Sequence, residues 1–149
     1  MNRRHFMLAT VGTALLARPS LAATPQLEVF KSPTCGCCSA WIAHMRQSGF
    51  ETVASDIDDD ALWLLKERTG ITPELASCHT GFIDGYFIEG HVPAADVQRL
   101  LSERPEALGL TVPGMPIGSP GMEMGDTREP YDTLLVLKGG AAEVFQSHA

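Results

Sequence analysis

The sequence predicts an α/β fold: a central mixed sheet flanked by helices, with a long Gly/Pro/Met loop and a C-terminal hairpin. Three observations carry that prediction. Short β-branched and aromatic runs alternate with stretches of helical apolar spacing over residues 27–103. Asp84-Gly85 stands between two such runs, a strong hairpin signal. Two late apolar runs flank Gly139-Gly140, after a segment too rich in proline and glycine for regular structure.

Taken in order, Leu27 to Lys31 reads as a strand, and Ser32-Pro33-Thr34 as a turn. From Cys37 to Ser48, Trp41, Ile42 and Met45 recur at helical spacing, with Gly49 as the stop. Phe50 to Ser55 is a second strand. Asp58-Asp59-Asp60 precedes Ala61-Leu62-Trp63-Leu64-Leu65, and Lys66 and Arg68 follow, the charge order a helix dipole favours. That acidic run is read as a helix cap rather than a hard-metal site, which would need further oxygen ligands. Residues 71–79 form a loop, Thr80 to Ile83 and Tyr86 to Glu89 pair as a hairpin, and Pro93 to Glu103 is a third helix. Thr111 to Pro130 is expected to be irregular, followed by strands at Asp132 to Lys138 and Ala141 to Gln146. The order β-α-β-α-β-β-α, then loop and hairpin, matches a thioredoxin-like layout. In that layout the loop carrying Cys78 approaches the start of the first helix.

The first residues read as an address. Arg3-Arg4 precedes a short apolar run, Leu8 to Ala17, and Ser20-Leu21-Ala22 offers small residues for cleavage. The run is too short to span a bilayer, and the Arg3-Arg4-His5-Phe6-Met7-Leu8 pattern resembles a twin-arginine signal, with Asn2 departing from the favoured Ser or Thr. Residues 1–22 are therefore expected to be an export signal, with 23–149 a single domain in the periplasm. Removing the signal leaves eight Lys or Arg against eighteen Asp or Glu, a net charge of −10. An acidic chain without a basic stripe argues against nucleic acid and anionic lipid as partners.

The chemistry lies in the cysteines. Three occupy Cys35-Gly36-Cys37-Cys38 at a predicted helix start, and Cys78 stands beside His79. A helix N-terminus favours thiolate over thiol. Adjacent cysteines bridge only with strain, so four unpaired or metal-held thiols fit better than two structural disulfides. Zinc and iron–sulfur sites usually space their cysteines by two or more residues. Copper(I) is soft, accepts two or three thiolates, and tolerates thiolates that bridge ions. Crowded sulfur therefore points to a site holding more than one copper(I) at Cys35, Cys37, Cys38 and Cys78. Met115, Met122 and Met124 are further soft donors, read first as loop filler. His79 is expected to point away from Cys78 if the stretch is extended, with a role as ligand or proton relay the lesser reading. His91 reads first as part of a helix start, with ligation the lesser reading, Trp41 reads as core, and His148 carries no argument. His44 lies about 10 Å along the helix from Cys37 and cannot share an ion with it; it reads as an ordinary exposed or packed histidine, with a second ion or a hydrogen bond within the site the lesser reading. Cys35 and Cys38 also make a Cys-x-x-Cys pair, so a thiol–disulfide oxidoreductase is the alternative; a structural metal or disulfide staple is a third.

The chain resembles the CopG-type copper-resistance proteins. The resemblance rests on residues 31–38 with Trp41 and His44, on residues 76–80, on Asp84-Gly85-Tyr86 with Glu89-Gly90-His91-Val92-Pro93, and on residues 112–116 and 118–123. It implies a thioredoxin-like fold, a periplasmic location, and copper held as a cysteine-bridged multinuclear cluster by Cys35, Cys37, Cys38 and Cys78. Copper binding and conversion between copper(I) and copper(II) are both compatible with it, as are other periplasmic copper-handling proteins as partners.

Overall fold

Seven strands and three helices alternate through residues 25–149, the part of the chain that the computed structural model describes. The export-signal reading of residues 1–22 lies outside the described residues. In chain order the elements are β1 (Leu27–Lys31), α1 (Gly36–Gln47), β2 (Thr52–Asp56), α2 (Asp59–Thr69), β3 (His79–Ile83) and β4 (Tyr86–Gly90). They continue as α3 (Ala94–Glu103), β5 (Ala107–Val112), β6 (Tyr131–Leu137) and β7 (Ala142–His148). The sheet runs β2-β1-β3-β4-β5-β6-β7 and is mixed: β1–β2 and β4–β5 pair in parallel, the other neighbours antiparallel. Each parallel pair is joined through a helix, as such a crossover requires.

Local chemistry explains most boundaries. Asp58 caps α2, its carboxylate accepting from Ala61 N at 2.8 Å, as the acidic run implied. Asp84 (φ 50°) and Gly85 (φ 88°) both take positive φ, which gives the tight β3–β4 turn. β2 starts at Thr52, not at Phe50, because Phe50 N is spent on Met45 O at the end of α1. A fifth strand was not expected from the sequence, and the irregular stretch begins at residue 113 rather than 111. In β5, Gly109 lies against the backbone of Phe87 so closely that any Cβ would collide with it. The same glycine that masks the strand in the sequence lets it pair.

Every residue of β4 is buried, so both faces of the sheet centre are covered. Trp41, Ile42 and Met45 of α1 and Val97 and Leu100 of α3 pack with Leu27, Val29, Ile88 and Leu110 in the main core. Phe87, next to Ile88, falls in a second cluster with Ile71, Leu75 and Val136, as strand alternation demands. Among the described residues, no helix is long and apolar enough to cross a membrane.

The topology sets where the site sits. Lys31 at the end of β1 stands opposite His79 at the start of β3, and Glu89 near the end of β4 opposite Thr80. Gly90 pairs with Val112 at the end of β5. Four loops therefore leave one end of the sheet together: β1 to α1, the approach to β3, β4 to α3, and β5 onward.

Candidate metal centre

Those four loops carry the donors. Cys35 is the N-cap residue of α1, and Cys37 and Cys38 lie in its first turn. Cys78 immediately precedes β3. The four Sγ atoms lie within 4.8 Å of one another, with Cys35 to Cys37 at 3.5 Å and Cys37 to Cys78 at 3.9 Å. Cys38 is fully buried, and its Sγ lies 3.8 Å from the Cys78 carbonyl. The reading of four unpaired thiols needs one correction: Cys35 and Cys38 are joined as a disulfide, and Cys37 and Cys78 are free. The first helical turn brings the two Cα atoms to 5.4 Å, within the range a disulfide bridges.

Two histidines complete the pocket, each of which the sequence offered as a ligand only as the lesser reading. His79 does not point away from Cys78; its Nδ1 lies 3.3 Å from Cys78 Sγ. Alternation fails because Cys78 lies before the strand rather than within it. His91 Nε2 lies 3.0 Å from the same sulfur, and its Nδ1 donates to Pro120 O at 2.8 Å. Trp41 is core, as expected: its ring lies 4.3 Å from that of His79, and its Nε1 donates to Val92 O at 2.8 Å. His44 stands apart from the sulfurs and accepts from Ala94 N at 3.1 Å, capping α3. His148, on which the sequence is silent, bonds Asp96 (2.9 Å) and Thr133 (3.1 Å).

Burial, and after it the neighbouring Cys37, pushes the Cys78 thiol up to about 12. Burial also holds both imidazoles below the usual range, His79 well below, with the His91 and Lys66 charges adding to it. Neutral imidazoles keep a ring lone pair available to a metal.

The segment 113–130 folds back over this pocket. Gly114 N donates to Ala76 O at 3.0 Å, and Ser77 Oγ donates to Gly114 O. Gly121, at φ 87°, lies so near the first turn of α1 that a Cβ would fall 2.7 Å from Trp41 N and 2.9 Å from Cys37 O. Only glycine fits there. Met122, the next residue, is half-buried, whereas Met115 and Met124 are exposed.

Behind Cys78 stands a buried ion pair. Glu89, fully buried on β4, accepts from Lys66 Nζ (2.5 Å), Ser77 N (2.6 Å) and Thr80 Oγ1 (2.6 Å). Its bonds hold the chain on both sides of Cys78. The sequence carried a signal for this: a glutamate inside the apolar run Tyr86-Phe87-Ile88-Glu89-Gly90 needs a buried partner.

The fold and the pocket define an α/β protein whose sheet end gathers four cysteine sulfurs suited to a soft metal. Two solved structures of copper resistance protein CopG resemble it over most of the chain. Form 2 is 42% identical, covering 84% of this chain and 98% of that one, at a TM-score of 0.78. Form 1 is 43% identical, covering 83% and 98%, at 0.77. The family model described as protein of unknown function DUF411 matches residues 75–122. No curated protein matches the chain. The chain belongs to the CopG family of copper resistance proteins.

Proposed function

We propose that this chain is a periplasmic copper-binding protein of copper homeostasis or resistance. Residues 1–22 direct export, by a twin-arginine-like signal, and residues 23–149 form one thioredoxin-like domain. That domain holds copper(I), more than one ion, as a cluster bridged by Cys35, Cys37, Cys38 and Cys78. The observation that carries this reading is the gathering of four sulfurs from segments forty residues apart into a span of 4.8 Å. A tetrahedron of thiolates around one divalent ion fits the same span, so the preference for bridged monovalent soft ions rests on the adjacency of Cys37 and Cys38, which crowds a single ion. Membership of a copper-resistance family supports copper over thiol–disulfide exchange. Its partners are copper ions and other periplasmic copper-handling proteins.

Loading by all four sulfurs first needs the Cys35–Cys38 bond opened: two electrons and two protons from a dithiol convert the disulfide into two thiols. The test is an anaerobic copper(I) titration of the reduced 23–149 chain and of Cys78→Ser. The expected result is more than one copper(I) per wild-type chain and fewer in the variant. Equal stoichiometry removes Cys78 from the site; one ion or none in the wild type removes the cluster.

A further inference from the structure

Away from the sulfurs, segment 113–130 and the final hairpin border a cavity of about 320 Å³. Gly118, Arg128 and Glu129 line it from the segment, and Tyr131, Ser147 and His148 from β6 and β7. Two opposite charges share this wall without meeting. Among the described residues neither Arg128 nor Glu129 forms an ion pair, although Lys31, Lys66, Arg99, Arg104 and Lys138 all do. Both are nonetheless held in place. Gly118 takes φ 95°, and a Cβ there would fall 3.1 Å from Cγ of Arg128, so the arginine stem lies against the bare glycine. Glu129 N donates to Ile117 O at 2.8 Å and its Oε2 accepts from Ile117 N at 3.0 Å, which leaves Oε1 to the cavity's contents.

His148 adds an independent mark on the same wall. Asp96, in the first turn of α3, is buried, and its Oδ2 accepts from Thr133 Oγ1 at 2.6 Å and from His148 Nε2 at 2.9 Å. A carboxylate only accepts, so Nε2 carries a proton and Nδ1 of the neutral ring keeps its lone pair. Nδ1 makes no hydrogen bond to any described residue, because every bond of this ring runs through Nε2. The Tyr131 ring stacks on the imidazole at 4.6 Å and 21°, so both its tautomer and its plane are set. Core groups therefore orient a histidine whose remaining acceptor serves nothing in the fold.

We propose that this cavity binds a small zwitterion of the α-amino acid class. Its carboxylate meets the Arg128 guanidinium, whose planar fork matches two carboxylate oxygens. Its ammonium donates to Glu129 Oε1 and His148 Nδ1, both acceptors. The charge pair on the wall decides the class. A simple anion gains Arg128 but is repelled by Glu129, a simple cation the reverse, and only a ligand carrying both signs is favoured by both. The ligand bridges segment 113–130 and the final hairpin, and its site rests in no respect on the copper(I) reading above.

Glycine, acetate and methylammonium, titrated separately into the full metal-free chain, test it by backbone amide chemical shifts and calorimetry. The expected result is saturable binding of one glycine per chain, with shifts gathered at residues 128–131 and 147–148. Acetate and methylammonium should each bind at least tenfold more weakly than glycine. Arg128 and Glu129 are exposed, so their replacement leaves the core alone. Glu129→Gln also keeps an oxygen for Ile117 N while removing the charge. Arg128→Gln and Glu129→Gln should each weaken glycine binding at least tenfold, with Tm unchanged. They should part on acetate: weaker still in Arg128→Gln, tighter in Glu129→Gln as its repulsion is lifted. Shifts that never saturate, acetate or methylammonium binding as tightly as glycine, or unaltered glycine affinity in either variant overturns the proposal. Copper(I) stoichiometry in the reduced chain is a separate reading that none of these outcomes moves.

Discussion

Lys66→Met removes one partner of the buried pair that braces Cys78, and its cost follows from what remains. Lys66 and Glu89 are 3% and 0% exposed, so the carboxylate left behind has no water to turn to. Removing one member of such a pair typically costs 3–5 kcal/mol, on the order of ten times an exposed pair such as Arg99–Glu103. Two donors survive, Ser77 N and the Thr80 hydroxyl, and burial already pushes the Glu89 carboxyl toward its protonated form. Both soften the loss, which places the expectation near the lower end, about 3 kcal/mol. At roughly 2–4 °C per kcal/mol for a chain of this size, Tm should fall by about 6–12 °C. Lys66→Met/Glu89→Gln removes the stranded charge and should regain more than half of that. Chemical and thermal denaturation of the three proteins decide it. A single variant within about 1 kcal/mol of wild type, or a double variant no more stable than the single, refutes the reasoning.

Two further outcomes are expected. Gly121→Ala places a Cβ against Trp41 N and Cys37 O at positive φ, so segment 113–130 must lift from α1; a loss of about 1–3 kcal/mol and weaker copper(I) retention against a competing chelator are expected, and unchanged values in both refute the contact. His44 must be neutral to accept from Ala94 N, and burial holds its pKa below the ordinary 6.5. The unfolded chain therefore takes up this proton more readily, so the contribution is intact above pH 6.5 and is lost as pH falls below it. His44→Gln, whose side-chain oxygen can accept the same N–H, should show a shallower fall of Tm between about pH 7.5 and 5. Parallel curves for the two proteins would exclude His44 from the acid response.

Local signals made much of the fold readable. Alternation and turn chemistry identified β1, the β3–β4 hairpin and the final hairpin; Asp58 and the charge order identified α2. β5 escaped because a glycine weakens a strand pattern, while its pairing depends on the absence of a side chain at Gly109, a contact that exists only between strands. The site divided along the same line. Crowding in Cys35-Gly36-Cys37-Cys38 is a local fact and was visible; the approach of Cys78 was inferred from the layout of elements, not from spacing. His91 could not be read, since its place depends on β4 ending at Gly90 and on Pro120 arriving from a loop thirty residues later. The Cys-x-x-Cys pair of Cys35 and Cys38 was legible, but its disulfide belonged to the alternative reading, while the first reading kept all four sulfurs unpaired or metal-held.

Electrostatics explains why such a pocket needs a bond, bound protons or an ion within it. Two thiolates at the 3.9 Å separation of Cys37 and Cys78 repel by about 4 kcal/mol at an effective dielectric near 20. Four bare thiolates within 4.8 Å would multiply that repulsion across six pairs, more than a fold of this size can absorb. The disulfide is one solution: it removes Cys35 and Cys38 as charges, while the Cys78 thiol keeps its proton. Monovalent cations are another, because each bridging copper(I) cancels charge on two sulfurs at once. Reduction without metal is met by protons, which keep the thiols neutral until copper(I) displaces them. Copper(I) supply and disulfide opening should therefore be coupled, with copper drawing the reduced form out of the equilibrium in proportion to its affinity.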